Sequence, residues 1–485
     1  MGLSRWKAAA GGCLVAIACA RLAAACDDGS DQTLEKPPRS NNPVDATNEV
    51  AEAAVDAGVD APSDVMLEAD APVLKGATSI ATGSSPHPDA VVGSGDHTCV
   101  IAGPARSVYC WGANDHGQLG LGATLDAGVI VVDDSSTAAR LAVDEQGLPL
   151  DGADEIALAG WHGCLRKSND VYCWGQRFSG AQAEPPYAMN PDRTKPRLVG
   201  NVPIARVVAG GPHTCVVRAT GKVACFGHGA FGELGRSAGT PCAAPIFYDY
   251  GATGTAHTCA GDLLDLAKPT SGVQGLAAGE VHTCVVVGQK VSCWGANDKG
   301  QLGAGPVLAS TDPVDVVTDA TNKTPLAGVT AITAGGGRHT CAMASGKPHC
   351  WGANDKGQLG VDPVATPSRS VAAPIALDGV ASLAVADGIT CVVTTSGEAM
   401  CWGADDVGQL GDGDVVAKST PVKVKGPGGL ATLNGVVAIA PGVRHVCALR
   451  TDASVWCWGK NDRGQLGDGT KVDSPYPVKV KGLPE

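Results

Sequence analysis

Residues 339–360 read HTCAMASGKPHCWGANDKGQLG, and close variants of this stretch recur along the chain. A cysteine followed by an aromatic residue and glycine stands at Cys110, Cys173, Cys225, Cys293, Cys350, Cys401 and Cys457, at intervals of 63, 52, 68, 57, 51 and 56 residues. A partner lies nine to eleven positions upstream of each, at Cys99, Cys164, Cys215, Cys284, Cys341, Cys391 and Cys447. A period of this size is the mark of a repeat architecture.

The spacing inside each pair has a geometric reading. Each pair brackets two short runs rich in Val, Ala and Leu around a turn signal. A spacing of nine leaves a two-residue loop, as at Gly288-Gln289, Ser345-Gly346 and Ser168-Asn169. A spacing of ten leaves three residues ending in glycine, as at Thr395-Ser396-Gly397 and Ala219-Thr220-Gly221. Both are favoured hairpin lengths. Counting outward from Gly288-Gln289 makes Cys284 and Cys293 a non-hydrogen-bonded pair, where side chains approach most closely. Alpha carbons about 4.5 Å apart there suit a disulfide. Seven bridged hairpins are therefore expected. A metal site is the weaker reading, because no C-x-x-C knuckle occurs and each pair already fills its hairpin.

A strand-like run precedes each hairpin, as in GVVAIAPGVRH, and another follows GQLG, as in STPVKVKG. Each unit then supplies about four strands, and seven units bury their faces against one another in a ring. The fold class is all-β, a seven-bladed β-propeller over residues 86–485. The first unit starts near PDAVVGSGDHTC, so the last segment, YPVKVKG, is expected to complete the first blade and close the ring.

With these residues in hand, GVRHVCAL and VWCWGKNDRGQLGDG resemble the repeat of the regulator of chromosome condensation (RCC1) family, in a secreted, cysteine-bearing bacterial form. The resemblance covers roughly residues 86 to 485 and implies that family's seven-bladed propeller. Repeat two departs from it by lacking GQLG, repeat six by reading GITC where the others place histidine, and an insertion separates repeats three and four. The eukaryotic namesake exchanges guanine nucleotide on a nuclear GTPase, a role that an exported chain without a basic arm is not expected to share. The resemblance implies a rigid disc whose loops bind, as in a similar secreted bacterial propeller that inhibits β-lactamase.

The 485 residues hold 66 glycines and 19 cysteines, a turn-rich composition that fits an oxidising, extracytoplasmic setting. A net charge of −13 argues against a nucleic-acid partner. Residues 1–25 are expected to be an export signal, with Arg5 and Lys7 ahead of AAAGGCLVAIACA, an apolar run too short to anchor in a bilayer. LAAAC ending at Cys26 resembles a lipoprotein signal, although Arg21 interrupts the run and Leu22 sits one place early. Cleavage after Ala25 is the alternative. Setting aside Cys13, Cys19 and Cys26 leaves sixteen cysteines, an even number that favours lipidation of Cys26. Residues 26–85 are expected to be a disordered tether, with twelve Asp and Glu between Cys26 and Leu74 against Lys36 and Arg39.

No G-x-S-x-G elbow, H-E-x-x-H pair or phosphate loop occurs. His97, His162, His213, His282, His339 and His445 recur in six of seven units, which suits a hydrogen bond to backbone better than one active site. The Asn-Asp pairs beside GQLG are turn residues without the acidic spacing of a calcium loop, and no metal or cofactor is expected. Trp111, Trp174, Trp294, Trp351, Trp402 and Trp458 read as packing between blades. The insertion, residues 236–272, adds Cys242 and Cys259 as an eighth expected disulfide and gathers Phe247, Tyr248 and Tyr250 into a candidate binding loop. Function is then expected to be that of a monomeric, non-catalytic binding module for a protein or envelope polymer. A hydrolase or lyase acting on an envelope polysaccharide is the alternative, which convergent acidic residues at one mouth of the ring would favour.

Overall fold

A computed structural model describes residues 79–82, 97–122, 124–126, 129–131, 133–141, 143–144, 146–176, 193–199, 203–235, 245–249, 255–259 and 272–484. Seven antiparallel sheets follow one another along the chain. Blade one is formed by Ser79–Thr82, His97–Ala102, Ser107–Gly112 and Ser135–Leu141, and blade two by Glu155–Leu158, His162–Lys167, Asp170–Gly175 and Arg193–Leu198. Blade three opens with Ile204–Gly210, His213–Arg218 and Val223–His228; blade four holds Val273–Ala278, His282–Val287, Lys290–Gly295 and Ser310–Asp315. Blade five holds Val329–Thr333, His339–Ala344, Lys347–Ala353 and Ser368–Pro374. Blade six holds Val380–Ala386, Ile389–Thr394, Ala399–Gly403 and Lys418–Lys423, and blade seven Val436–Pro441, His445–Arg450, Val455–Gly459 and Ser474–Lys479. The first strands of consecutive blades touch around the whole circle, blade seven against blade one included. Among the described residues no helix is long and apolar enough to cross a membrane.

The hairpins fold as their loops dictate. Gly288 and Gln289 both take positive φ, 57° and 62°, which a two-residue turn of the primed type requires. Cys284 then faces Cys293 in register. Seven disulfides, Cys99–Cys110, Cys164–Cys173, Cys215–Cys225, Cys284–Cys293, Cys341–Cys350, Cys391–Cys401 and Cys447–Cys457, span alpha carbons 4.1–4.2 Å apart. All fourteen sulfurs belong to buried residues, so each bridge is both a staple and core. Replacing Cys341 and Cys350 together with alanine is expected to cost about 2–3 kcal/mol in urea unfolding and leave the ring assembled. No loss would mean that packing alone fixes the hairpin.

The second strand of each blade is buried on both faces, as in the unbroken burial of His97–Ala102, whereas the fourth is half-exposed, as in Lys418–Lys423. The core therefore lies between blades. Cys391, Val393 and Leu410 of blade six pack with Val446, Ala448 and Trp458 of blade seven.

Closure of the ring differs from expectation. Blade one has its own first strand, Ser79–Thr82, which pairs Ala81 with Cys99 and starts ahead of residue 86. Ser474–Lys479 stays in blade seven, pairing Cys457 with Val478. The C-terminal segment still seals the circle, but by contact. Val480 and Leu483 pack with Val100, Ala102 and Trp111, and the Ala138 amide donates to the Lys481 carbonyl at 3.0 Å. With the first sheet complete, no edge is left for a returning strand to pair.

Candidate functional site

The repeated residues turn out to be clasps between blades. Each indole donates its Nε1 hydrogen to the glutamine carbonyl of the preceding blade's GQLG: Trp111 to Gln465 at 2.9 Å, Trp174 to Gln118 at 2.7 Å, Trp351 to Gln301 at 2.9 Å, Trp402 to Gln358 at 3.0 Å and Trp458 to Gln409 at 3.0 Å. In blade four Trp294 donates to Glu233 at 2.8 Å, glutamate standing there in GELG. A side chain is barred from the closing glycine of the motif: a β-carbon on Gly303, at φ +64°, would lie 2.8 Å from the Trp351 indole nitrogen.

The histidines do not bond backbone as expected. Their Nε2 atoms meet the threonine hydroxyl of the next blade: His162 with Thr214 at 2.9 Å, His213 with Thr283 at 2.9 Å, His282 with Thr340 at 2.7 Å, His339 with Thr390 at 3.0 Å and His445 with Thr98 at 2.7 Å. Thr390 donates its own hydrogen to the Gln358 carbonyl at 2.8 Å, so it accepts from His339 Nε2–H. That tautomer leaves Nδ1 as a bare lone pair, buried and without a partner in His339. Burial pushes the imidazoles down, His162 to about 4, His282 to about 3 and His339 to about 4. His162, His282 and His339 are structural and stay neutral at pH 7.

Two departures from the repeat are matched across neighbouring blades, while Gly163 stands in the threonine position of blade two although blade one keeps His97. Repeat two lacks GQLG, and repeat three carries Phe226 in place of tryptophan, so a missing acceptor faces a missing donor. Ile389 replaces histidine in blade six and Val446 replaces threonine in blade seven, and the two share one apolar cluster.

A second clasp uses the residue before histidine. Arg338 of blade five donates to Glu280 at 2.8 Å and to Asp298 of blade four at 2.9 Å. Arg444 of blade seven pairs with Asp406 of blade six. Between blades five and six that position is Gly388, and a cleft of about 560 Å³ opens there. Asp355, Asp387, Asp405 and Asp406 line it against Lys356 and Arg444. Val415, Val416 and Val443 supply an apolar wall. Its size is that of a ligand site. Burial, with the charges of Glu280 and Asp355, pushes Asp387 up to about 6. Burial raises Asp405 to about 7, against the hydrogen bond from the Leu410 amide. Sequence reading missed this site, although ADGIT in place of GGRHT and GADD in place of GAND were its visible traces.

The insertion is a hairpin and not a loop where it is described. Thr255–Cys259 takes the place of the fourth strand in blade three, and Pro245–Asp249 adds a fifth, with Phe247 opposite His257 and Tyr248 opposite Ala256. Tyr250 and Cys242, and with the latter the expected Cys242–Cys259 bridge, lie outside the described residues, as do the expected signal, Cys26 and nearly all of the tether.

The fold and its clasps define a seven-bladed propeller built from one repeated unit. The sequence profile of the Regulator of chromosome condensation (RCC1) repeat matches residues 107–131, 396–449 and 452–485, and a second profile of that repeat matches residues 436–465. The matched segments carry RCC1 repeats, and the fold resembles that of propellers built from them. The ultraviolet-B receptor UVR8 of Arabidopsis thaliana is 27% identical over 358 residues, 71% of this chain and 73% of that protein. The human E3 ubiquitin-protein ligase HERC2 is 30% identical over 229 residues, 44% of this chain but 5% of that protein. Human WBSCR16 superimposes with a TM-score of 0.63 at 20% identity, covering 78% of this chain and 95% of that one. Yeast RCC1 (Prp20), solved with Kap60 bound, gives a TM-score of 0.61 at 19% identity over 78% and 84% of the two chains.

Proposed function

We propose that the protein is an exported, lipid-anchored propeller that acts as a non-catalytic binding module, and that the cleft over blades five to seven receives a cationic group of a protein or envelope polymer. The observation that carries this reading is the gap at Gly388. The bridging arginines of blades five and seven, Arg338 and Arg444, flank Gly388, and four carboxylates there face two cations beside an apolar wall. The tryptophan and histidine clasps follow the repeat, and this cleft is particular to blades five to seven. Seven disulfides fit an oxidising compartment, and the solution of yeast RCC1 (Prp20) with Kap60 bound supports a protein partner.

The test is a pull-down from envelope extract with three forms of the chain. Replacing Asp355 and Asp387 together with asparagine is expected to weaken capture roughly tenfold, with the melting temperature little changed. Replacing Phe247, Tyr248 and Tyr250 with serine is expected to leave capture intact. The opposite pattern would move the site to the hairpin of blade three.

One observation favours an enzyme instead. Asp387, raised to about 6 by burial, stands in one cleft with a second carboxyl, Asp355, the pairing an acid and a base would need. New reducing ends from envelope polysaccharide, abolished by Asp387→Asn, would establish hydrolysis and displace the binding reading.

A further inference from the structure

Blade six carries a loop that is complete in four other blades and incomplete here. Its first residue is asparagine in blades one, four, five and seven. The side-chain oxygen accepts the leucine amide of GQLG, for Asn114 and Leu119 at 3.0 Å, Asn297 and Leu302 at 2.9 Å, Asn354 and Leu359 at 2.8 Å, and Asn461 and Leu466 at 2.9 Å. The amide nitrogen donates across the loop to oxygen: to the Asp133 carbonyl at 3.0 Å, Val307 at 2.6 Å, Thr366 at 2.6 Å and Val472 at 3.0 Å. In blade seven it also reaches Asp468 Oδ1 and Thr470 Oγ1, each at 3.1 Å.

Blade six has Asp405 in that place. Oδ1 keeps the leucine bond, from Leu410 N at 2.9 Å. Oδ2 stands where the donor nitrogen would be, and in the ionised form it has no hydrogen to give. It is buried without a partner, in a residue only 2% exposed. Its neighbours worsen the deficit. Asp412 matches Asp468, and Asp414 matches Thr470, so oxygen meets oxygen on every side. One oxygen from each of Asp405, Asp412 and Asp414 lies within 4.8 Å of the others. Lys418 reaches Asp414 at 2.8 Å and Asp412 only at 3.9 Å, one ammonium against three carboxylates.

We propose that blade six binds one calcium ion among Asp405, Asp412 and Asp414. The chemistry is specific in three ways. The donors are all hard carboxylate oxygens, which suit calcium or magnesium and not a thiophilic metal. Oxygens within 4.8 Å of one another can share an ion held at about 2.4 Å, the calcium distance. The loop also bends at Gly411 and Gly413, at φ 70° and 88°, which gives it the adaptability calcium tolerates and magnesium does not. The ion would stand in for the two hydrogens that asparagine supplies elsewhere. Asp405 also lines the cleft, whereas Asp412 and Asp414 do not, so Asp414→Thr tests the ion site apart from the cleft.

The test uses the full chain, stripped with EDTA and titrated calorimetrically with calcium chloride in 150 mM sodium chloride, alongside thermal melts. One saturable site is expected near 10⁻⁴ M, the range of half-open extracellular calcium modules, with a rise in melting temperature. Asp405→Asn restores the residue of the other blades, so it should fold and melt normally in EDTA while binding falls at least tenfold. Asp414→Thr, copied from blade seven, should do the same. Absence of saturable binding at millimolar calcium would overturn the assignment. So would undiminished binding by Asp405→Asn, or equal heats from magnesium, which would mark diffuse counter-ions.

Discussion

Acidifying the protein from pH 6.5 to pH 4 is expected to remove on the order of 10 kcal/mol of stability through three residues, His162, His282 and His339. Each imidazole is neutral in the folded ring because its native value lies far below the ordinary 6.5, at about 4, 3 and 4. The unfolded chain therefore binds more protons than the folded one throughout this window, and stability must rise with pH across it. The contribution is complete above pH 6.5 and is lost as the pH falls through the native values. Carboxylates held low by their partners, such as Asp151 beside Arg140, add their own loss further down. Urea midpoints measured from pH 7.5 to 4 check the slope. The control is already written in the chain. Replacing His339 and Thr390 with isoleucine and valine copies the Ile389–Val446 pair and should flatten the slope by about a third. A wild-type midpoint independent of pH would show that these rings are not buried neutral.

Trp351→Ala is expected to cost about 3–5 kcal/mol, since the indole is wholly buried between blades four and five and the space cannot collapse around a closed ring. Trp351→Phe separates packing from hydrogen bonding. It keeps most of the bulk but leaves the Gln301 carbonyl without its indole donor, at about 1–3 kcal/mol. Phe226→Trp should destabilise, although it restores the repeat, because repeat two brings no GQLG carbonyl to meet it. Guanidinium unfolding of the three variants measures these differences. A stabilised Phe226→Trp would break the link between the two positions.

The fold was legible because its information is local. A separation of nine to eleven positions between cysteines sets a turn, the turn sets register, and register brings sulfur to sulfur. Contacts between units were less visible. The partner of His339 lies 51 residues ahead, so spacing within one repeat cannot name Thr390. The coupling of Phe226 to the defect in repeat two, and of Ile389 to Val446, becomes clear only once consecutive blades are known to touch. The first strand escaped notice for a different reason. ATSIAT resembles the runs before other hairpins, but a polar stretch rich in Ser, Pro and Gly separates Ser79–Thr82 from His97 where other blades have a tight turn. Missing it forced the wrong closure. The cleft was illegible because its walls come from three blades and from positions that vary between repeats, Gly388 among them.

The sealing of blade seven to blade one has a mechanical consequence. Every other junction is crossed by the polypeptide itself, and this one is held by non-covalent contacts: Thr98 to His445, Trp111 to Gln465, Arg463 to Asp134 and Asp115, and the Gly469 amide to the Ser136 carbonyl. Force or heat applied to the disc would part it along that line first, uncoiling the wheel into an arc of whole, still-stapled sectors before any single sheet comes undone.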